Sequence, residues 1–256
     1  MEAKIGIRIL SVDWDYFFPD MFWFDWSQKE ESMMFLEYLW YIRYGNQHLK
    51  TGELAKDKVR PDKSRLCGFW EKVSPREPYI NLTITESHKD IVTTLDFFFS
   101  DPLDRPSFKI WNFDQHHDAG YGMEKLNCDN WAHYLQEDGR LSEYHVIYPP
   151  WRKEKPEEKP KFPCTMHYKI PDLPDRFEFV FICRSGGWTP SWCDDEWIKF
   201  IEHWKKYELL WTTKSSAPYA LVKRHFDYEK AEEELRKMEE VREKIRKENL
   251  KIMERR

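Results

Sequence analysis

The chain has 256 residues, of which 17% are aromatic, with 13 tryptophans and a formal net charge of −5. Such a length suits one α/β domain with decorations, or at most two small ones, and can bury a core without disulfides. The mild acidity argues against nucleic acid as a partner, and five scattered cysteines with no CxxC pair argue against a disulfide framework or a zinc knuckle.

The β-branched run Ile5–Val12 predicts a buried strand that ends in acids. Because the chain opens on a strand, no leader peptide is expected, and no stretch approaches the length of a membrane span. The expectation is a soluble, cytoplasmic protein with no membrane partner. The aromatic segment Tyr16–Trp26 reads either as core or as a hydrophobic wall over a site. Ser27 with Glu30 and Glu31 marks a helix start, Met33–Tyr44 has helical periodicity, and Gly45 is the expected stop. Residues 50–76 look charged and irregular. Tyr79–Thr85 predicts a second strand, Asp90–Phe99 a helix and Phe108–Phe113 a third strand.

The proline- and charge-rich stretch Pro149–Pro163 predicts an exposed insertion. Phe177–Cys183 predicts a fourth strand and Asp194–Leu210 a helix. From Phe226 onward the chain reads as one charged helix. Its spaced Leu235, Met238, Val241, Ile245 and Met253 leave a coiled-coil contact in a homo-oligomer open. The expected organisation is an α/β domain over residues 1–225 and a C-terminal charged helix over 226–256. Short strands alternating with helices predict a three-layer αβα fold around a mainly parallel sheet.

Ligands of parallel sheets sit beyond the carboxyl ends of the strands. Three of the four predicted strands end in acids or histidines, and the fourth ends in Arg184-Ser185-Gly186-Gly187. The densest group is Asp114-Gln115-His116-His117-Asp118, where alternate residues on extended backbone share a side. Ser11-Val12-Asp13-Trp14-Asp15 supplies two further acids, and Glu86-Ser87-His88 another imidazole. Carboxylates with imidazoles suit Mn²⁺, Fe²⁺ or Zn²⁺, and the carboxylate majority leans toward manganese. The candidate metal ligands are therefore Asp13, Asp15, His88, Asp114, His116 and Asp118.

These motifs resemble the ureohydrolase group of arginases and agmatinases. Asp114-Gln115-His116-His117-Asp118 matches the three ligand positions of D-A-H-x-D, and Ser11-Val12-Asp13-Trp14-Asp15 matches S-x-D-x-D. In Glu86-Ser87-His88, only the histidine matches G-G-D-H. In arginases S-x-D-x-D follows the other two motifs, whereas here it comes first, which implies a rearranged sheet. The patterns SVDWDYF, ESH, FDQHHDAG and CRSGGWTP are also similar to arginase-related peptide arginases, which convert arginine side chains of peptides to ornithine.

The resemblance implies a hydrolase with two Mn²⁺ per chain that cleaves a guanidino C–N bond, with an arginine-containing peptide among its substrates. It implies bridging by Asp13 and Asp114, with His88 and Asp118 completing one shell and His116 and Asp15 the other. Asp118 would also orient the attacking water. His117 and His133 are the candidate proton shuttles, and Asn130 and Trp131 would shape the pocket mouth. A guanidinium needs an acid, for which Glu86, Asp194 and Asp195 are candidates. Arg184 could bind a substrate carboxylate or carbonyl, hold a ligand aspartate, or form a structural ion pair. An amide or acyl-amine hydrolase on the same metal site, and a non-catalytic metal-binding protein, are the competing expectations.

Overall fold

The computed structural model describes residues 6–19, 33–73, 81–99, 106–120, 125–153, 159–206 and 220–254. The expected helix start at Ser27, the residues 20–26 of the aromatic segment, the beginnings of the first two strands and the end of the Asp194–Leu210 helix lie outside them.

One all-parallel sheet of six strands organises the chain. Its strands are β1 (Gly6–Asp13), β2 (Asn81–Thr85), β3 (Ser107–Phe113), β4 (Leu141–Ile147), β5 (Thr165–His167) and β6 (Phe179–Cys183). Their spatial order is β2-β6-β1-β3-β4-β5. The helices are α1 (Met33–Thr51), α2 (Ala55–Lys58), α3 (Lys63–Leu66), α4 (Phe69–Val73), α5 (Asp90–Phe98), α6 (Trp131–Glu137), α7 (Asp194–Glu202) and α8 (Tyr228–Glu254).

Central strands of a parallel sheet are covered on both faces and so read as apolar runs. β1 and β6 fit that rule. Leu10, Val12, Val180 and Ile182 enter a core shared with α1, α4 and α7, whereas Ile9, Phe179 and Phe181 enter one shared with α5 and α6. Helix, sheet and helix thus form three layers. Tyr16, Phe17 and Phe18 are buried in the first core, Tyr16 and Phe17 against Phe69. At about 1.5–3 kcal/mol per buried large side chain, this part of the aromatic segment is core and not a wall over a site.

β4 and β5 had no counterpart in the expected strands. β4 carries Glu143 and His145 in its interior, which mask its strand character. Across the ladder Glu143 pairs with Lys109 at 2.9 Å, and His145 stacks on Trp111 with ring centres 4.9 Å apart. Cross-strand pairs of this kind stabilise a strand that its own composition disfavours. Residues 55–73 hold three short helices where an irregular stretch was expected. The expected insertion begins with a 3₁₀ turn, Pro150–Lys153, in which Arg152 is buried. Residues 154–158 lie outside the described ones.

Gly45 does not stop α1. The helix runs to Thr51, and the capping glycine is Gly52, at φ +75°, whose N–H donates to the His48 carbonyl at 2.7 Å. A Cβ on Gly45 would run into the Met238 methyl, so the glycine marks where α8 crosses α1. No helix among the described residues is long and apolar enough to cross a membrane.

Candidate metal centre

The strands β2, β6, β1 and β3 are neighbours, and all four point their carboxyl ends the same way. Asp13 ends β1, His88 follows β2, Asp114 follows β3, and Ser185 follows β6. Parallel pairing therefore gathers residues that are far apart in sequence. His88 Nδ1 lies 3.1 Å from an oxygen of each of Asp13, Asp114 and Asp118. His116 Nδ1 lies 3.1 Å from Asp15 Oδ2 and 3.5 Å from Asp114 Oδ1. Asp114 belongs to both groups, giving Oδ2 to the first and Oδ1 to the second. Asp13 gives Oδ2 to the first group, and its Oδ1 accepts the N–H of Asp15, a member of the second, at 3.0 Å. Asp114, one of the two acids expected to bridge, thus spans both groups.

One N–H cannot serve three acceptors, and His88 Nδ1 has no partner in hydrogen-bond geometry; Asp15 Oδ2 is also buried without one. Spacings near 3 Å are those of ligands around a common ion. Donor atoms about 2.1 Å from one cation and at right angles to each other sit about 3.0 Å apart. The buried Asp and His groups could hold a metal ion.

The charges support the same reading. Burial, and then Asp114, raise the pKa of Asp13 and Asp118. Burial together with Asp13 and Asp114 pushes Asp15 up to about 8. For Asp114 burial acts upward, but the contacts with His116 and His88 outweigh it and hold its pKa down. His88 is raised: burial opposes its charge, and Asp114, Asp118 and Asp13 overcome that. Four carboxylates in one dry space cannot all ionise cheaply without a cation among them.

An outer ring of hydrogen bonds fixes the ligands. Ser11 Oγ is 2.8 Å from His88 Nε2, which leaves Nδ1 to face the acids. Ser185 Oγ donates to Asp13 at 2.5 Å, and Asn112 Nδ2 donates to Asp114 at 3.1 Å. Gln115 donates from Nε2 to the carbonyls of Asp15 and Phe18, sewing the two loops together. Asp118 and Ser185 are the non-glycine residues with positive φ among the described ones, at +50° and +51°. Both touch the cluster, so the strained backbone aims ligand and donor. Ser185, Asn112 and Gln115 were not singled out in the sequence; the signal for Ser185 was its place at a strand end.

No family model matches the sequence, and no curated protein or solved structure matches it.

The remaining candidate residues divide differently. Trp131 is wholly buried and does not form a mouth. Its Nε1 donates to Asp118 Oδ2 at 2.5 Å and its ring lies 4.8 Å from His88. Asn130 ties its own loop, donating to the Lys125 carbonyl and accepting from the Asn127 N–H. His117 Nδ1 accepts the Ala119 N–H at 3.0 Å. His133 is two residues beyond Trp131 on α6, about 200° around the helix. Its contacts are Glu137 and Phe162, away from the cluster. Arg184 is fully buried, 2.6 Å from Glu86 and 3.1 Å from Asp194, and Arg224 joins Asp194 at 2.7 Å. That arrangement is the structural ion pair among the alternatives for Arg184. It occupies Glu86 and Asp194, and Lys223 holds the exposed Asp195 at 2.9 Å. None of the three acids considered for guanidinium recognition is without a cation.

Proposed function

We propose that this chain is a binuclear metal-dependent hydrolase that cleaves a guanidino C–N bond, with two Mn²⁺ per chain. The observation that carries the proposal is Asp114, one carboxylate whose two oxygens face two separate imidazole–carboxylate groups. Asp13, His88 and Asp118 with Asp114 would hold one cation, and Asp15 and His116 with Asp114 the other. The donor set, mostly carboxylate oxygen with one imidazole on each side, favours manganese over softer metals. When bound, such cations supply Lewis acidity, acidifying water and neutralising charge that develops on the substrate.

The chain's own residues do the rest. Ser11, Ser185, Asn112 and Trp131 hold His88, Asp13, Asp114 and Asp118 in place before substrate arrives. Burial of these side chains excludes bulk water. The overall reaction is arginyl guanidinium plus water giving urea plus the ornithyl ammonium. Water supplies the oxygen of urea, and its protons end on the leaving amine. The second cation group, Asp15 with His116, favours this reading over an amide hydrolase that works with a single ion.

The test is metal content by elemental mass spectrometry after reconstitution with Mn²⁺ and dialysis, with urea release from arginine and arginine-containing peptides assayed on the same sample. Two ions per chain with urea release is the expected result. Two ions with turnover of amides alone would transfer the site to an amide substrate, and absence of bound metal would refute the proposal.

A further inference from the structure

The loop that leaves β6 touches both halves of the metal centre. Ser185 donates from Oγ to Asp13, and the ring of Trp188 lies 5.3 Å from that of His116. The loop backbone is held in an unfavourable shape, with Ser185 at φ +51°. A Cβ on Gly186 would run into the Glu86 carboxylate, so a larger residue there would push the loop or Glu86 aside. A strained conformation of this kind persists where its surroundings over-determine it. Part of the hold is local: Trp188 and Thr189 donate their N–H groups to the Ser185 carbonyl at 2.7 and 2.8 Å.

The rest of the hold comes from across the fold. Trp40 and Arg43 stand three residues apart on one face of α1, with the guanidinium carbon of Arg43 4.8 Å from the centre of the Trp40 ring. Trp40 Nε1 donates to the Gly186 carbonyl at 2.8 Å, and Arg43 Nη1 donates to the next carbonyl, that of Gly187. Arg224 also reaches the Gly186 carbonyl, at 3.2 Å. Trp40 is therefore backed by a second donor at Gly186, and Arg43 holds Gly187. Arg43 is only 1% exposed, and burial works against its charge and pulls its pKa down to about 10. A dry guanidinium is costly to keep, but a charged donor fixes a carbonyl more firmly than a neutral one. We infer that Arg43 is a positioning residue of the metal centre: by holding the Gly187 carbonyl it keeps Ser185 on Asp13 and Trp188 against His116. The inference rests on the two-ion reading of the site and not on its substrate.

The test is a calorimetric titration of the metal-free full chain with Mn²⁺, run well below the melting temperature of each variant. Arg43→Met keeps the apolar stem and removes the donors. It should weaken the site that contains Asp13 by about tenfold, the low end for loss of an outer-shell partner of a metal ligand. Arg43→Lys, which keeps the charge and a donor, should recover part of the loss. A double-mutant cycle with Ser185→Ala separates positioning from packing. Once the Ser185 hydroxyl is gone, Arg43→Met should cost that site little further affinity. A lower melting temperature with unchanged Mn²⁺ affinity in Arg43→Met would overturn the inference, as would equal losses with and without the hydroxyl. If Arg43→Met does not fold, Arg43→Lys is read the same way, and an affinity equal to that of wild type then overturns the inference. Failure of wild type to bind two ions would instead sink the metal centre on which the inference rests.

Discussion

Trp131→Phe isolates one hydrogen bond of the metal centre. The substitution removes the indole N–H that donates to Asp118 Oδ2 at 2.5 Å and keeps an aromatic ring between His88 and Tyr144. Trp131 and Asp118 are both buried, so water cannot readily replace the donor. A net hydrogen bond to a charged group is worth about 1.5–3 kcal/mol. At about 1.4 kcal/mol per tenfold, its loss should weaken one Mn²⁺ site by about 10–100-fold. The same range is typical for removing an outer-shell partner of a metal ligand. The assay is a calorimetric titration of metal-free protein with Mn²⁺ in a competing chelator, fitted to two sites. Only the site that contains His88 and Asp118 should weaken, and saturation should still reach two ions. The melting temperature of the metal-free variant measures the packing loss separately. An unchanged affinity would mean that Asp118 does not ligate, and an equal loss at both sites would mean that the two groups are not separable.

The two halves of the centre also differ in depth, since the His116 side chain is 26% exposed and that of His88 only 1%. His116→Ala should therefore leave one tightly held ion per chain, read by elemental mass spectrometry, and loss of both ions would refute separate sites. Arg184→Met should cost about 3–5 kcal/mol, because it leaves Glu86 and Asp194 buried with less positive charge. For a domain of this size that is a fall of about 6–20 °C in melting temperature, with the low end expected because Arg224 still reaches both acids. Loss of arginine binding without loss of stability would instead assign Arg184 to the substrate.

How much of this was readable in the sequence depended on the range of the contact. The ends of β1, β2 and β3 were legible because local alternation marks a strand, and an acid or histidine at its carboxyl end needs no distant partner to be noticed. β4 was not, since its polar face is completed by Lys109 and Trp111 on another strand. Gly45 misled for the same reason: its cause is Met238, far along the chain. The acids show the principle most clearly. Glu86, Asp194 and Asp195 look alike as residues, and only their long-range pairing with Arg184, Arg224 and Lys223 removes them from the substrate's side.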